Sequence, residues 1–64
     1  MKMWIARDSG GALFLYPEKP SLMEKYGCWD CDDWYKLDSD LLPEVTFENS
    51  PMEVELKLVS NESN

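Results

Sequence analysis

The chain has 64 residues, a formal net charge of −7 and no histidine. A chain of this length forms one domain with a small core, and it lacks the residue most often used as a catalytic acid or base. Its negative charge disfavours direct binding to nucleic acid or anionic membrane, and no apolar run approaches the ~18 residues needed to span a bilayer.

Two runs rich in aromatic and branched residues open the chain, residues 3–7 and 12–16, separated by Asp8-Ser9-Gly10-Gly11. This pattern predicts a β-hairpin, with Asp8 at the first turn position and Gly11 as a left-handed bulge residue. Alternation along the strands then places Met3, Ile5, Leu13 and Leu15 on one face and Trp4, Ala6, Phe14 and Tyr16 on the other. Because both faces are apolar, we expect the middle of the chain to cover the second one.

The middle of the chain begins with Pro17-Glu18-Lys19-Pro20, which cannot continue a paired strand. Ser21 and Glu24 form a capping-box pattern, and Gly27 suits a helix stop, so residues 21–27 predict a short helix of one or two turns. Trp34-Tyr35-Lys36-Leu37 has the β propensity of a third strand. Residues 39–43 indicate a single capped turn, since Pro43 keeps Leu42 out of helical angles.

Strict alternation marks residues 52–60 as a strand, with Val54, Leu56 and Leu58 on a buried side and charged residues on the other. Val45-Thr46-Phe47 predicts a further short strand before the turn at residues 48–51. The polar tail 61–64 is expected to be disordered. Together these elements predict a mainly β domain over residues 1–60. We expect an antiparallel sheet of three or four strands that starts with the hairpin, with one short helix or irregular segment packed on it.

Two stretches, residues 4–16 and 42–58, resemble short acidic uncharacterised proteins of gut anaerobic bacteria and their phages or other mobile elements. The quoted residues are Trp4-Ile5-Ala6-Arg7-Asp8 with Leu13-Phe14-Leu15-Tyr16, and Leu42-Pro43-Glu44-Val45-Thr46-Phe47 with Val54-Glu55-Leu56-Lys57-Leu58. The resemblance covers the two ends, about half of the chain. It implies a bacterial or phage context and carries no site residue.

Cys28-Trp29-Asp30-Cys31 is a C-x-x-C sequence, whose two thiols are spaced to bind one metal or to form a redox disulfide. Four-coordinate zinc would need further ligands, and without histidine these would come from aspartates such as Asp30. Neighbouring aspartates also disfavour the thiolate that redox catalysis needs. Two ordinary thiols are therefore the main expectation, and a metal site at Cys28, Cys31 and Asp30 or a thiol-redox site is the alternative.

Ten of the thirteen acidic residues lie in residues 28–64, where Lys36 and Lys57 are the only bases. The spacing does not fit an EF-hand loop, because position 5 counted from Asp30 is Trp34 and from Asp38 is Leu42. Carboxylate mimicry of DNA is a second alternative, although the acids are sparser than the phosphates of a duplex, which lie about 1.7 Å apart along its axis. The acidic half would attract a basic partner.

Aromatic residues that the fold leaves uncovered would form an anchor patch rimmed by acids, of the kind that dominates protein interfaces. The candidates are Trp4, Phe14, Tyr16, Trp29 and Trp34. We therefore expect a non-catalytic interaction module without a cofactor, bound to a basic protein or to a second copy of itself. The opening residues lack the apolar core of a signal peptide, and together with the few cysteines this favours the cytoplasm.

Overall fold

The computed structural model describes residues 1–58 and is built from strands. The strands are β1 Lys2–Arg7, β2 Leu13–Tyr16, β3 Ser21–Met23, β4 Cys28–Asp30, β5 Tyr35–Leu37 and β6 Met52–Glu55. Four of them form an antiparallel sheet in the order β5-β2-β1-β6, and β3 and β4 form a separate antiparallel pair. The predicted antiparallel sheet beginning with an N-terminal hairpin is confirmed. Within residues 1–58 there is no helix with the length and hydropathy to cross a membrane.

The β1–β2 hairpin has the turn that its sequence predicts. The Gly11 N–H donates to the Asp8 carbonyl at 2.9 Å, and the Asp8 N–H donates to the Ala12 carbonyl at 2.8 Å. Gly11 has a φ of 102°, which side chains with a Cβ rarely adopt. Trp4 pairs with Tyr16 and Ala6 pairs with Phe14, so the predicted division into two faces is confirmed.

The first face of the hairpin forms the hydrophobic core. Ile5, Leu13 and Val45 are buried together, and the partly buried residues packed on them are Leu15, Leu37 and Val54. Val45 belongs to the long connection between β5 and β6, so this connection closes the core from outside the sheet. Each fully buried aliphatic side chain of this kind contributes about 1.5–3 kcal/mol to stability, a large share for a domain this small.

Arg7, at the end of β1, holds the β5–β6 connection in place. Its Nε donates to the Val45 carbonyl, while Nη1 and Nη2 each donate to two further carbonyls. These four acceptors belong to Gly11, Ser39, Leu41 and Leu42, at 2.8–3.1 Å. A guanidinium has five N–H donors, so every donor of Arg7 is used inside the protein.

The same connection contains the capped turn predicted near residues 39–43. The Leu41 N–H donates to the Asp38 carbonyl, and the Asp40 N–H donates to Asp38 Oδ1, both at 3.0 Å. The cap is therefore Asp38, one residue before the predicted start. Leu42 has a φ of 50°, in the left-handed region, which agrees with the expected exclusion of helical angles before Pro43.

The predicted strand at Val45-Thr46-Phe47 is wrong. The Thr46 N–H donates to Asn49 Oδ1 at 2.8 Å, and the Asn49 N–H donates back to Thr46 Oγ1 at 3.2 Å. These side chains satisfy backbone groups that a strand would pair with a neighbour. The turn ends at the Ser50–Pro51 peptide, which is cis. Ser50 Oγ accepts the Arg7 N–H at 2.9 Å and so ties this turn to β1.

The last predicted strand is confirmed in position but not in length. β6 ends at Glu55, and of the alternating apolar residues only Val54 is partly buried. Leu56 is 57% exposed and Leu58 100% exposed, which corrects their expected burial. The Leu56 N–H donates to the Met1 carbonyl at 2.7 Å, so pairing with the N-terminal segment extends one residue past β6. The prediction for the end of this strand at residue 60 and for the tail lies outside the described residues.

The predicted helix at residues 21–27 is also wrong, since these residues form β3 and a turn. Met23 pairs with Cys28, and the Met23 carbonyl accepts the N–H groups of Tyr26 and Gly27 at 3.0 and 2.9 Å. Gly27 has a φ of 64°. Gly27, which the sequence predicts as the end of a helix, thus has its left-handed conformation in a hairpin turn. The third strand predicted at residues 34–37 is confirmed as β5, Tyr35–Leu37.

Candidate functional site

The β3–β4 hairpin lies over the second face of the main sheet, next to β1. Beneath the added layer, Ala6 is fully buried and Tyr16 is 2% exposed, so the middle of the chain covers this face as expected. Two contacts fix the cover at its ends. The Ser9 N–H donates to the Gly27 carbonyl at 2.9 Å, and Trp29 Nε1 donates to the Arg7 carbonyl at 3.1 Å.

The cover is incomplete and leaves an aromatic cleft of about 170 Å³. We use the name aromatic cleft for the space lined by Asp8, Phe14, Tyr16, Cys28, Trp29 and Trp34. The Trp34 indole stands edge-on to the Phe14 ring, with 5.5 Å between centroids, and is 57% exposed. The Trp29 indole instead packs against Phe47, at 6.1 Å. One indole is therefore fixed by the fold, while the other stands at the solvent side.

Asp8 supplies the one carboxylate of the aromatic cleft. Its Oδ1 is buried and has no hydrogen-bond partner among the described residues. Burial raises the pKa of this carboxyl, and a hydrogen bond from the Trp29 backbone opposes the rise. An unsatisfied carboxylate oxygen is costly to bury, which makes Asp8 the least satisfied polar group on this face.

Tyr16 lies deepest of the cleft residues. Burial, reinforced by the negative charge of Asp8, raises the pKa of its phenol to about 12. The phenol therefore stays neutral throughout the physiological range. The negative charge of the cleft at neutral pH comes from Asp8.

Of the five aromatic residues named from the sequence, four line the cleft, and its carboxylate was not among the named residues. Phe14, Tyr16, Trp29 and Trp34 meet in the cleft, whereas Trp4 does not line it. The signal for Asp8 was present: counting in twos from Trp4 and Ala6 puts residue 8 on the same face. From the sequence, Asp8 is assigned only to the hairpin turn and not to the sheet face that lines the cleft.

Trp4 instead receives a cation from its own chain. The Lys19 Nζ lies 5.4 Å from the centroid of the Trp4 ring, within the range of a cation–π contact. Trp4 is the cross-strand neighbour of Tyr16, so the contact lies on the same sheet face as the cleft. This face therefore already binds one ammonium group.

The cysteine pair lies at the border of the cleft. Cys28 lines it, and both thiols are unbridged and partly buried. Cys31 Sγ approaches the Glu18 carbonyl at 3.6 Å. Among residues 1–58, no three cysteine, aspartate or glutamate side chains are grouped as ligands for a metal ion. Cys28, Cys31 and Asp30 therefore do not make up a ligand set with another acid in this part of the chain.

A second, larger cleft of about 610 Å³ lies beside Arg7, Lys36 and Asp38. Two basic side chains suggest an anion site. However, all five donors of Arg7 already bind carbonyls, so its guanidinium has none left for a ligand. The aromatic cleft is the better candidate because one oxygen of its carboxylate, Asp8 Oδ1, has no hydrogen-bond partner among the described residues.

Comparison of the chain with protein-family models, curated proteins and solved structures finds no match. The resemblance to short acidic bacterial and phage proteins therefore stays a prediction.

Proposed function

We propose that this protein is a small, non-catalytic interaction module that binds a basic protein partner at the aromatic cleft. One observation carries the proposal: aromatic side chains from three parts of the chain meet around the Asp8 carboxylate, whose buried Oδ1 has no hydrogen-bond partner among the described residues. Aromatic residues in partly desolvated pockets dominate the energetics of protein interfaces.

The charge of the chain supports a basic partner. A net charge of −7 attracts cationic surfaces and speeds their encounter, while it repels acidic ones. The size of the cleft supports a protein rather than a metabolite. Pockets for small molecules usually measure about 300–1,000 Å³, and 170 Å³ holds little more than one side chain.

Two alternative functions follow from the sequence. Metal binding or thiol-redox chemistry at Cys28 and Cys31 has no third ligand grouped with it in residues 1–58. Acidic mimicry of nucleic acid stays a prediction that rests on charge alone. Neither alternative accounts for the unpaired carboxylate among aromatic rings, which is the feature that selects the interaction module.

A peptide selection tests the proposal. The immobilised protein is offered a random peptide library, and the selected sequences are scored for charge and for dependence on Trp34. We expect enrichment of basic peptides whose binding is lost in W34A, because the exposed indole is removed without opening the core. The control is Y26A, which removes an equally exposed ring, 64% accessible, outside the cleft.

Two outcomes would contradict the proposal. One is a selection without charge preference. The other is basic peptides that bind wild type, W34A and Y26A equally and are all released by moderate salt, because that behaviour indicates unspecific attraction to an acidic surface.

A further inference from the structure

No lysine or arginine of residues 1–58 forms an ion pair with Asp8. Arg7 donates to five carbonyls, and four lysines lie near a carboxylate or an aromatic ring. These contacts are Lys2–Glu53 at 3.7 Å, Lys57–Glu55 at 3.9 Å, Lys19 over Trp4 at 5.4 Å and Lys25 over Tyr26 at 5.8 Å. Lys36 is exposed on the edge strand β5, opposite Phe14. Residues 59–64 contain no lysine or arginine. A cation from another molecule can therefore neutralise Asp8 without displacing an ion pair.

The aromatic cleft has the size of one cationic head group. Its 170 Å³ corresponds to about six water molecules at about 30 Å³ each. A guanidinium with its last methylene groups fills a comparable space. The cleft is thus too small for a folded element of a partner and large enough for the end of one long side chain.

The walls favour a guanidinium over an ammonium. A lysine ammonium is a compact, strongly hydrated charge, so it loses more hydration on entering a cleft with aromatic walls. A guanidinium is planar and more weakly hydrated, stacks on aromatic rings and is attracted to a carboxylate. Trp34 and Phe14 provide the rings, and Asp8 provides the carboxylate.

We propose that the aromatic cleft receives a single arginine side chain of the protein partner, held against its aromatic walls and neutralised by Asp8. This inference rests on the proposed function and adds the residue that the partner inserts. The contact between Lys19 and Trp4 is the intramolecular counterpart on the same face, without the carboxylate. Because the aromatic cleft also contains the Asp8 carboxylate, it attracts a cation more strongly than the Trp4 ring does.

The test uses three short glycine-rich peptides that differ at one central position: arginine, lysine or citrulline, the uncharged analogue of arginine. Binding is followed by NMR through the indole N–H signals of the three tryptophans. Trp29 and Trp34 line the cleft and Trp4 does not, so Trp4 is an internal control. We expect saturable shifts of Trp29 and Trp34 with the arginine peptide, at least about five-fold tighter binding than with lysine, and none with citrulline.

Two charge-matched variants test the role of Asp8. D8N keeps the size of the side chain and an acceptor oxygen, and we expect it to weaken binding of the arginine peptide at least about ten-fold. D40N removes the charge of an exposed acid outside the cleft and should leave the affinity within about two-fold. Urea unfolding of both variants verifies that they fold. W34A repeats the test with a residue that is more than half exposed.

Several results would overturn the arginine assignment: lysine binding as tightly as arginine, equal affinities of wild type and D8N, or shifts as large at Trp4 as at Trp34. Selected basic peptides that depend on Trp34 but contain no required arginine would refute this inference and leave the proposed function intact. An arginine peptide that binds the cleft while the library shows no basic preference would refute the proposed function instead.

Discussion

The two faces of the β1–β2 hairpin are covered in different ways. On the face of Ile5 and Leu13, the β5–β6 connection closes an aliphatic core. Arg7 donates hydrogen bonds to four backbone carbonyls of this connection and to the carbonyl of Gly11. On the face of Phe14 and Tyr16, the β3–β4 hairpin covers only part of the surface. It leaves a cleft with an unpaired oxygen of Asp8.

The contrast separates stability from recognition. On the first face, the aliphatic core and the five hydrogen bonds of Arg7 stabilise the fold, and the Arg7 guanidinium has no donor left for a ligand. The second face keeps an exposed indole and an unsatisfied charge, features that lower stability and are typical of binding sites. Variants on the first face should therefore affect mainly unfolding, and variants in the cleft should affect mainly binding.

The largest expected effect comes from Arg7 on the closed face. R7M removes five charge-assisted donors and leaves carbonyls of the β5–β6 connection without partners, so we expect a loss of at least about 3 kcal/mol in the free energy of unfolding. Urea titration followed by tryptophan fluorescence measures it. The control K2M disturbs one exposed ion pair and should cost less than about 1 kcal/mol. If R7M also costs less than about 1 kcal/mol, the hydrogen bonds of Arg7 to the five carbonyls are not what holds the β5–β6 connection over the core.

A smaller effect is expected where the cover of the open face docks. G27A adds a Cβ at a φ of 64° and brings it into collision with Ser9 Oγ, so we expect a loss of about 1–3 kcal/mol. The control G10A adds the same atom where nothing lies within 4 Å, and it should be neutral or slightly stabilising.

The double variant S9G/G27A sharpens the interpretation. It should recover the part of the loss that comes from the collision and keep the part that comes from the backbone angle. If G27A unfolds at the same urea concentration as G10A, the β3–β4 hairpin does not depend on this close approach.

The smallest effect concerns the pH dependence of stability and involves Tyr16. In the unfolded chain its phenol loses a proton near pH 10, whereas in the folded protein burial raises its pKa to about 12. The folded state therefore binds more protons between these values. The free energy of unfolding should fall as pH rises from about 10 to about 12.

Urea midpoints at several alkaline pH values, compared between wild type and Y16F, isolate this group. Y16F should lack the part of the slope that Tyr16 contributes. Identical slopes for the two proteins would mean that Tyr16 is accessible to solvent and that the β3–β4 hairpin does not bury it.

Sequence determined the parts of this fold in which local chemistry and alternation act together. The turn at Asp8–Gly11 and the two faces follow from residue types and period two. The helix at residues 21–27 failed because its signals, a capping pattern and Gly27, also fit a hairpin turn. Residues 21–27 are too few to form a stable helix alone, and pairing of residues 21–23 with β4 decided between the two.

The candidate site was likewise predictable only in the parts that depend on local sequence. The aromatic residues could be named from the sequence because large rings on a two-sided hairpin need cover or a partner. The carboxylate was missed, and Trp4 was included although Lys19 covers it. Alternation puts Asp8 on this face, but only the packing of other segments leaves its Oδ1 without a partner and places Lys19 over Trp4.

By itself, then, the sequence determined the hairpin, its register, the acidity and the apolar nature of both faces, because these depend on neighbouring residues. Only the tertiary structure decided which segment covers each face, where Arg7 places its donors and how Asp8 comes to lie unpaired among aromatic rings. Those features depend on packing between segments separated by 20 to 40 residues, for which the local pattern contains no distance information.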